Sequence, residues 1–190
     1  MDNVECTKQK IRTVIAGSKI PEDPRHAENT LKWLLRIDPN ADQALQIAAL
    51  AHDIERAVEA RKVRRSDYDD YDVFKAAHAH NGAEILREIM EECGLPNFIT
   101  DRACLLVELH EIGGNPHSDM LKDADSISYF EVNMPLYYQR EGWGETRRRC
   151  IWGYRRLSAR MKKIAKSVRY EDEALTHLLK EAIRQDLLND

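Results

Sequence analysis

The chain is defined first by what it lacks. No apolar run approaches the roughly 20 residues needed to span a bilayer, so no membrane role is expected. The segment Met1-Asp2-Asn3-Val4-Glu5-Cys6 has neither the basic nor the apolar region of a signal peptide, and export is not expected. The four cysteines (Cys6, Cys93, Cys104, Cys150) are scattered and show no CxxC spacing. They read as reduced packing residues of a cytoplasmic protein. No segment alternates convincingly between polar and apolar residues as a half-buried strand would, and there is no internal repeat or low-complexity tract.

What is present fits one soluble, all-α domain over residues 1–190, with 43% hydrophobic and 33% charged residues. Helical periodicity predicts helices over about Val4–Ala16, from Asp23-Pro24 through Leu35, and from Asp38-Pro39 to about Glu55. Further helices are predicted over about Val73–Glu92, Asn97–Glu111, Asp119–Val132, Thr146–Val168 and Asp172–Leu188. Ala60–Asp72 is charged and reads as a loop. Gly94-Leu95-Pro96 and Gly113-Gly114-Asn115-Pro116 separate neighbouring helices. The helix around Leu45–Ala51 is apolar on most sides and should be central.

His52-Asp53 stands at the end of that apolar helix, where an imidazole and a carboxylate are costly to bury unless something neutralises them. A metal ion does so, because it rewards both groups for being deprotonated and fixed. Other ligand-type residues share inward stripes. His78 aligns with Phe74, Gly82, Ile85 and Ile89, and His110 with Ile99, Ala103 and Leu106. His80 aligns instead with Glu84, Arg87 and Glu91, a solvent face. His26 falls in the first turn of its helix, beside Arg25. His117 and His177 have no comparable setting. Any one such histidine alone is more often a hydrogen-bonded core residue. Four on inward faces of four helices, with an adjacent Asp, make a ligand set. Asp123 and Asp125 are not separated by periodicity.

The order His26, His52-Asp53, His78, His110, Asp125 resembles the HD-domain superfamily of metal-dependent phosphohydrolases, over about residues 20–133. His78-Ala-His-Asn-Gly82-Ala83 and Ala124-Asp125-Ser-Ile are similar to that family's later motifs, and the resemblance favours Asp125 over Asp123. It implies an HD-like helical bundle; the basic helical extension at about 143–190 lies beyond the resemblance. His26, His52, Asp53 and Asp125 would hold one divalent ion, and His78 and His110 would add a second, with Asp53 bridging. One or two ions of iron, manganese, cobalt, nickel or zinc suit such ligands. Two ions would polarise a phosphoryl oxygen and activate a water.

The expected activity is hydrolysis of a nucleotide or other small phosphate ester. Asp53 and Arg56 are the candidate catalytic residues, and Arg25, Arg56 and Lys75 the candidate substrate-binding ones. Arg56 stands where some single-metal nucleotidases of the superfamily carry glutamate, which favours the two-metal type. Glu55 would make a surface or second contact behind the ligands. The run Arg61-Lys62-Val63-Arg64-Arg65-Ser66 could close over the site. Two other classes share these residues: a di-iron oxygenase of the same fold, and a non-catalytic module that binds phosphate or nucleic acid.

The net charge of −4 hides an asymmetry. From Arg147 to Arg169 there are ten Lys/Arg and no Asp or Glu, leaving about −14 on the remainder. The stripe Ile151, Tyr154, Leu157, Met161, Ile164 or Ala165, and Val168 should pack inward. Arg148, Arg155, Arg156 or Lys163 could then face phosphate. No nucleic-acid-binding motif accompanies the charge, and substrate identity and oligomeric state are not written in the sequence.

Overall fold

Helix caps and the apolar stripes between them set the course of the chain. The computed structural model describes residues 2–188. Met1, Asn189 and Asp190, the ends of the expected 1–190 unit, lie outside the described residues. The described residues are helical without a strand, so the fold is all-α. The Asp2 side chain caps α1 (Asn3–Ala16) by accepting from the Glu5 amide. Helix α2 (Asp23–Ile37) and α3 (Gln43–Ala51) follow. A 3₁₀ turn (Ile54–Ala57) leads into the charged loop, itself containing a short 3₁₀ turn at Arg65–Asp67. Next come α4 (Tyr71–Glu92), α5 (Asn97–Leu109) and α6 (Pro116–Ser128). A π-helical turn (Tyr129–Asn133) joins α6 to α7 (Met134–Arg156), and α8 (Ala159–Ala165) and α9 (Glu173–Leu187) complete the chain.

Helix α3 is the centre expected from its sequence. Leu45, Ile47, Ala48, Ala49, Leu50 and Ala51 are all buried, and α3 packs against α1, α2, α5 and α6. Fully burying one such leucine contributes about 1.5–3 kcal/mol. The hydrophobic cluster continues without interruption from Ile11 to Ala182, so α7, α8 and α9 share the core through Cys150, Tyr154, Leu157, Met161 and Leu178.

Several boundaries depart from the periodicity. Asp23 is not the cap of α2. Glu22 holds that position, and Asp23 is buried with its Oδ2 accepting from the Ser18 hydroxyl at 2.6 Å. Asp38 terminates α2 rather than starting α3. Its Oδ1 accepts from the Asn40 amide in a local turn, and Asp42 caps α3 four residues later. The helix expected over Thr146–Val168 is two helices, because Ser158 caps a new one by accepting from the Met161 amide. Helix α7 reaches back to Met134, bent at Gly142, whose φ of 73° suits only glycine.

The cysteines divide into two kinds. Cys104 and Cys150 are buried free thiols, as expected. Cys6 and Cys93 instead form a disulfide across 87 residues of sequence. Helix α1 lies along α4, and Gly94, at φ 70°, ends α4 with the Leu95 amide donating to the Met90 carbonyl. That turn holds the Cys6 and Cys93 Cα atoms 5.9 Å apart, within bonding range. The reading of a reducing compartment from scattered cysteines therefore loses its premise. No helix among the described residues is long and apolar enough to cross a membrane.

Candidate metal centre

The ligand-type residues arrive from helix ends and helix interiors that face the core. His26 sits in the first turns of α2, His78 midway along α4, and Asp125 near the end of α6. His52 and His110 occupy equivalent places, as the C-terminal caps of α3 and α5. Just after His52 the helix breaks. Asp53 (φ −107°, ψ 15°) leaves helical geometry before the 3₁₀ turn. All six are buried.

The hydrogen bonds fix the imidazole tautomers. His52 Nδ1 lies 3.0 Å from the Ala49 carbonyl and His110 Nδ1 2.6 Å from the Val107 carbonyl; a carbonyl only accepts, so both nitrogens donate. His78 Nδ1 donates to Glu55 Oε2 at 2.7 Å. Ser128 gives its hydroxyl proton to the His26 carbonyl, so its oxygen accepts from Asn29 and from His26 Nδ1 at 2.9 Å. In the neutral rings every Nε2 is then a bare lone pair. These lone pairs converge: His26 Nε2 and His52 Nε2 are 3.2 Å apart, and His110 Nε2 has no hydrogen-bond partner. A cation between them resolves the repulsion, and orientation through Nδ1 is what metal-bound histidines show.

The carboxylates complete two groups of potential ligands, His26, His52 and Asp125 in one and Asp53, His78 and His110 in the other. Within each, the ligand atoms lie within 4.8 Å of one another. Asp125 Oδ1 is 3.1 Å from His26 Nε2. Asp53 reaches both groups: Oδ1 is 3.0 Å from His78 Nε2, and Oδ2 is 3.4 Å from His52 Nε2 and 3.6 Å from His26 Nε2. These residues could hold a metal ion, and Asp53 lies within reach of both groups.

A second layer of charge holds the carboxylates. Arg56 Nη1 pairs with Asp53 Oδ2 at 2.7 Å and approaches Asp23 at 3.7 Å. Arg156, from the end of α7, reaches Asp125 Oδ2 and Glu111 Oε2, both at 3.2 Å, and donates to the His110 carbonyl at 3.0 Å. Glu111 also pairs with Lys75 and lies 3.2 Å from His110 Nε2, poorly aligned for a hydrogen bond. Burial alone would raise these carboxyl groups, but the cations outweigh it. In the metal-free protein Arg56 and a protonated His52 hold Asp53 well below the ordinary carboxylate range. A His26 or His52 ring that also carries a proton on Nε2 donates to Asp125 and lowers it too, and Lys75 does the same for Glu111. Burial works against a charged His52, yet Asp53 and Asp125 prevail and lift it to about 10. The site draws positive charge, and a metal ion held there would compete with that proton.

Beside His78 opens a cavity of about 330 Å³ whose wall is mostly basic and aromatic. Arg56 and Lys75 line it, as does the loop of Lys62, Arg64 and Arg65 that the sequence suggested could close over the site. Lys75 is pushed down to about 8 by burial, against the pull of Glu111. Arg25 does not join them; it is exposed on α2 and absent from the cavity wall. His80 is exposed and paired with Glu108, and Asp123 accepts from the Ser158 amide, so both stand outside the cluster. Glu55 is buried behind His78, the second contact rather than the surface one. Of the basic segment, Arg148 and Arg155 are exposed, whereas Arg156 serves Asp125. Sequence reasoning passed over Glu111 and Arg149. The available signals were Glu111's place after His110 and the unbalanced charge of Arg147–Arg169.

Fold and site define an all-helical protein with buried histidine and aspartate groups able to hold metal, beside a basic cavity. The chain belongs to the family described as a domain of unknown function, DUF4202, which matches residues 4–178. That span takes in all six ligand-type residues together with Arg149 and Arg156. No curated protein and no solved structure matches the chain significantly.

Proposed function

We propose that this protein is a metal-dependent phosphohydrolase of the HD type, acting on a nucleotide or other small phosphate ester. The observation that carries the reading is the convergence of four Nε2 lone pairs on Asp53 and Asp125, beside a cavity lined by cations. Two divalent ions in this site would supply Lewis acidity and lower the pKa of a water between them. The chain's own residues do the rest. Asp53 would span the two ligand groups while Arg56 fixes its orientation. Glu55, Ser128 and the Ala49 and Val107 carbonyls keep the imidazoles turned inward. Lys75 and Arg56, on the cavity wall, would bind the phosphate. The basic lining ranks this reading above an oxygenase built on the same ligands.

The test is metal analysis of the purified protein followed by phosphate release from monophosphates, triphosphates, cyclic and dinucleoside substrates. Release by the wild type and none by His52→Ala is expected. A metal-loaded protein inert on all of them would remove the proposal.

A further inference from the structure

Seven cations line the cavity: Arg56, Lys62, Arg64, Arg65, Lys75, Arg140 and Arg149. Three of them are already balanced, Arg56 by Asp53, Lys75 by Glu111 and Arg140 by Glu22. The other four have no carboxylate within 4.0 Å among the described residues. The acidic residues of the same loop, Asp67, Asp69 and Asp70, are exposed and do not line the cavity. The surplus is therefore local to the cavity.

Arg149 is the most telling of the four. It comes from α7, outside the segment that resembles the HD pattern, and is held by aromatic groups. Its guanidinium lies 4.4 Å from the Trp152 ring centroid and 5.6 Å from that of Tyr129, and Nη1 donates to the Tyr71 hydroxyl at 2.8 Å. Arg65 approaches the same Tyr71 from the loop, 5.7 Å from the ring centroid. Two like charges, the partly buried Arg149 and the exposed Arg65, thus meet on one tyrosine, and an anion between them would relieve their repulsion. Guanidinium groups favour phosphate through paired N–H donors.

We propose that Arg149 and Arg65, joined through Tyr71 with Lys62 and Arg64 in the same cavity, form a second anion subsite. It takes a phosphoryl group of the substrate other than the one placed at the metal centre. The substrate class is thereby narrowed to molecules carrying at least two phosphoryl groups. The substrate assignment rests on the phosphohydrolase reading; the subsite itself does not.

The test uses the full-length chain stripped of metal with a chelator, so that the metal centre plays no part. Inorganic pyrophosphate is titrated into wild type, Arg149→Gln, Arg65→Gln and the exposed control Arg160→Gln, and heat of binding is recorded. The subsite predicts binding to wild type, weakened about tenfold or more in Arg149→Gln, as loss of charged hydrogen bonds implies. Arg65→Gln should weaken binding several-fold and Arg160→Gln should leave it unchanged. Arg65 is exposed on a loop, so its variant reports even if Arg149→Gln fails to fold. Equal binding by wild type and Arg65→Gln, equal loss in Arg160→Gln, or no binding to wild type would overturn the subsite. Pyrophosphate binding by a protein that takes up no metal would overturn the hydrolase reading alone.

Discussion

His26 Nε2 and His52 Nε2 face each other at 3.2 Å, each ring turned there by a hydrogen bond from its own Nδ1. Two neutral imidazoles in that orientation repel, so the pair marks the place of a cation. Protons and metal compete for it, and acid should displace metal. Metal binding, followed by dialysis and elemental analysis, is predicted to weaken steadily as pH is lowered from about 10, the value to which Asp53 and Asp125 lift His52. Retention unchanged down to pH 4 would argue that these nitrogens are not the ligands.

The metal-free protein should have its own stability profile. Asp53, Asp125 and Glu111 titrate well below their ordinary values of 3.8, 3.8 and 4.5 when folded. Their contribution is present above those values and is lost as pH falls through the lower folded range. His52 is raised from 6.5 to about 10, so its contribution is complete below 6.5 and is lost as pH rises toward 10. Lys75, lowered from 10.5 to about 8, offsets part of that loss above pH 8. Denaturant unfolding of chelated protein should therefore show greatest stability between about pH 4.5 and 6.5. A rise in stability from pH 7 to 10 would contradict this balance.

Asp53→Asn removes the charge shared by the two ligand groups and the partner of Arg56. Metal content should fall to at most one ion per chain, and phosphate release should drop by two orders of magnitude or more, about the scale of losing a metal-site contact. Unchanged stoichiometry by elemental analysis would show that Asp53 does not bridge.

Arg156→Gln strips a buried cation from Asp125 and Glu111. The loss of one partner from a buried ion pair costs about 3–5 kcal/mol, and Arg156 also donates to the His110 carbonyl. Thermal unfolding should shift down by several degrees or more, with Arg156→Lys recovering part of the loss. A change no larger than that of Arg148→Gln, whose side chain is exposed, would show that α7 does not brace the centre.

The Cys6–Cys93 bond ties α1 to the end of α4 across 87 residues. Removing it should cost about 2–4 kcal/mol. Reductant should lower the melting temperature of wild type and leave that of Cys6→Ser/Cys93→Ser unchanged. A wild-type melting temperature indifferent to reductant would count against the bond.

The residues readable from sequence were those whose burial follows from a helical stripe. His78 against His80, and the central placement of α3, required only the 3.6-residue repeat. What the repeat does not encode was missed or displaced. Asp38-Pro39 looks like a helix start because either end of a helix can use an aspartate; the turn to Asn40 decided it. The break at Ser158 is a cap made by one hydroxyl inside an otherwise continuous apolar stripe. Cys6–Cys93, Arg156–Asp125 and Lys75–Glu111 join residues remote in sequence, where no local spacing speaks. Asp125 rested on resemblance, and its place 3.1 Å from His26 supplies a geometric reason to prefer it to Asp123.

The central claim is that His52-Asp53 lies at the heart of a two-metal site. Its most direct test is anomalous scattering from crystals of the metal-loaded protein. The account predicts two ions, one against His26, His52 and Asp125 and one against His78 and His110, with Asp53 between them. A single ion held without His78 and His110, or no ion near Asp53, would contradict it.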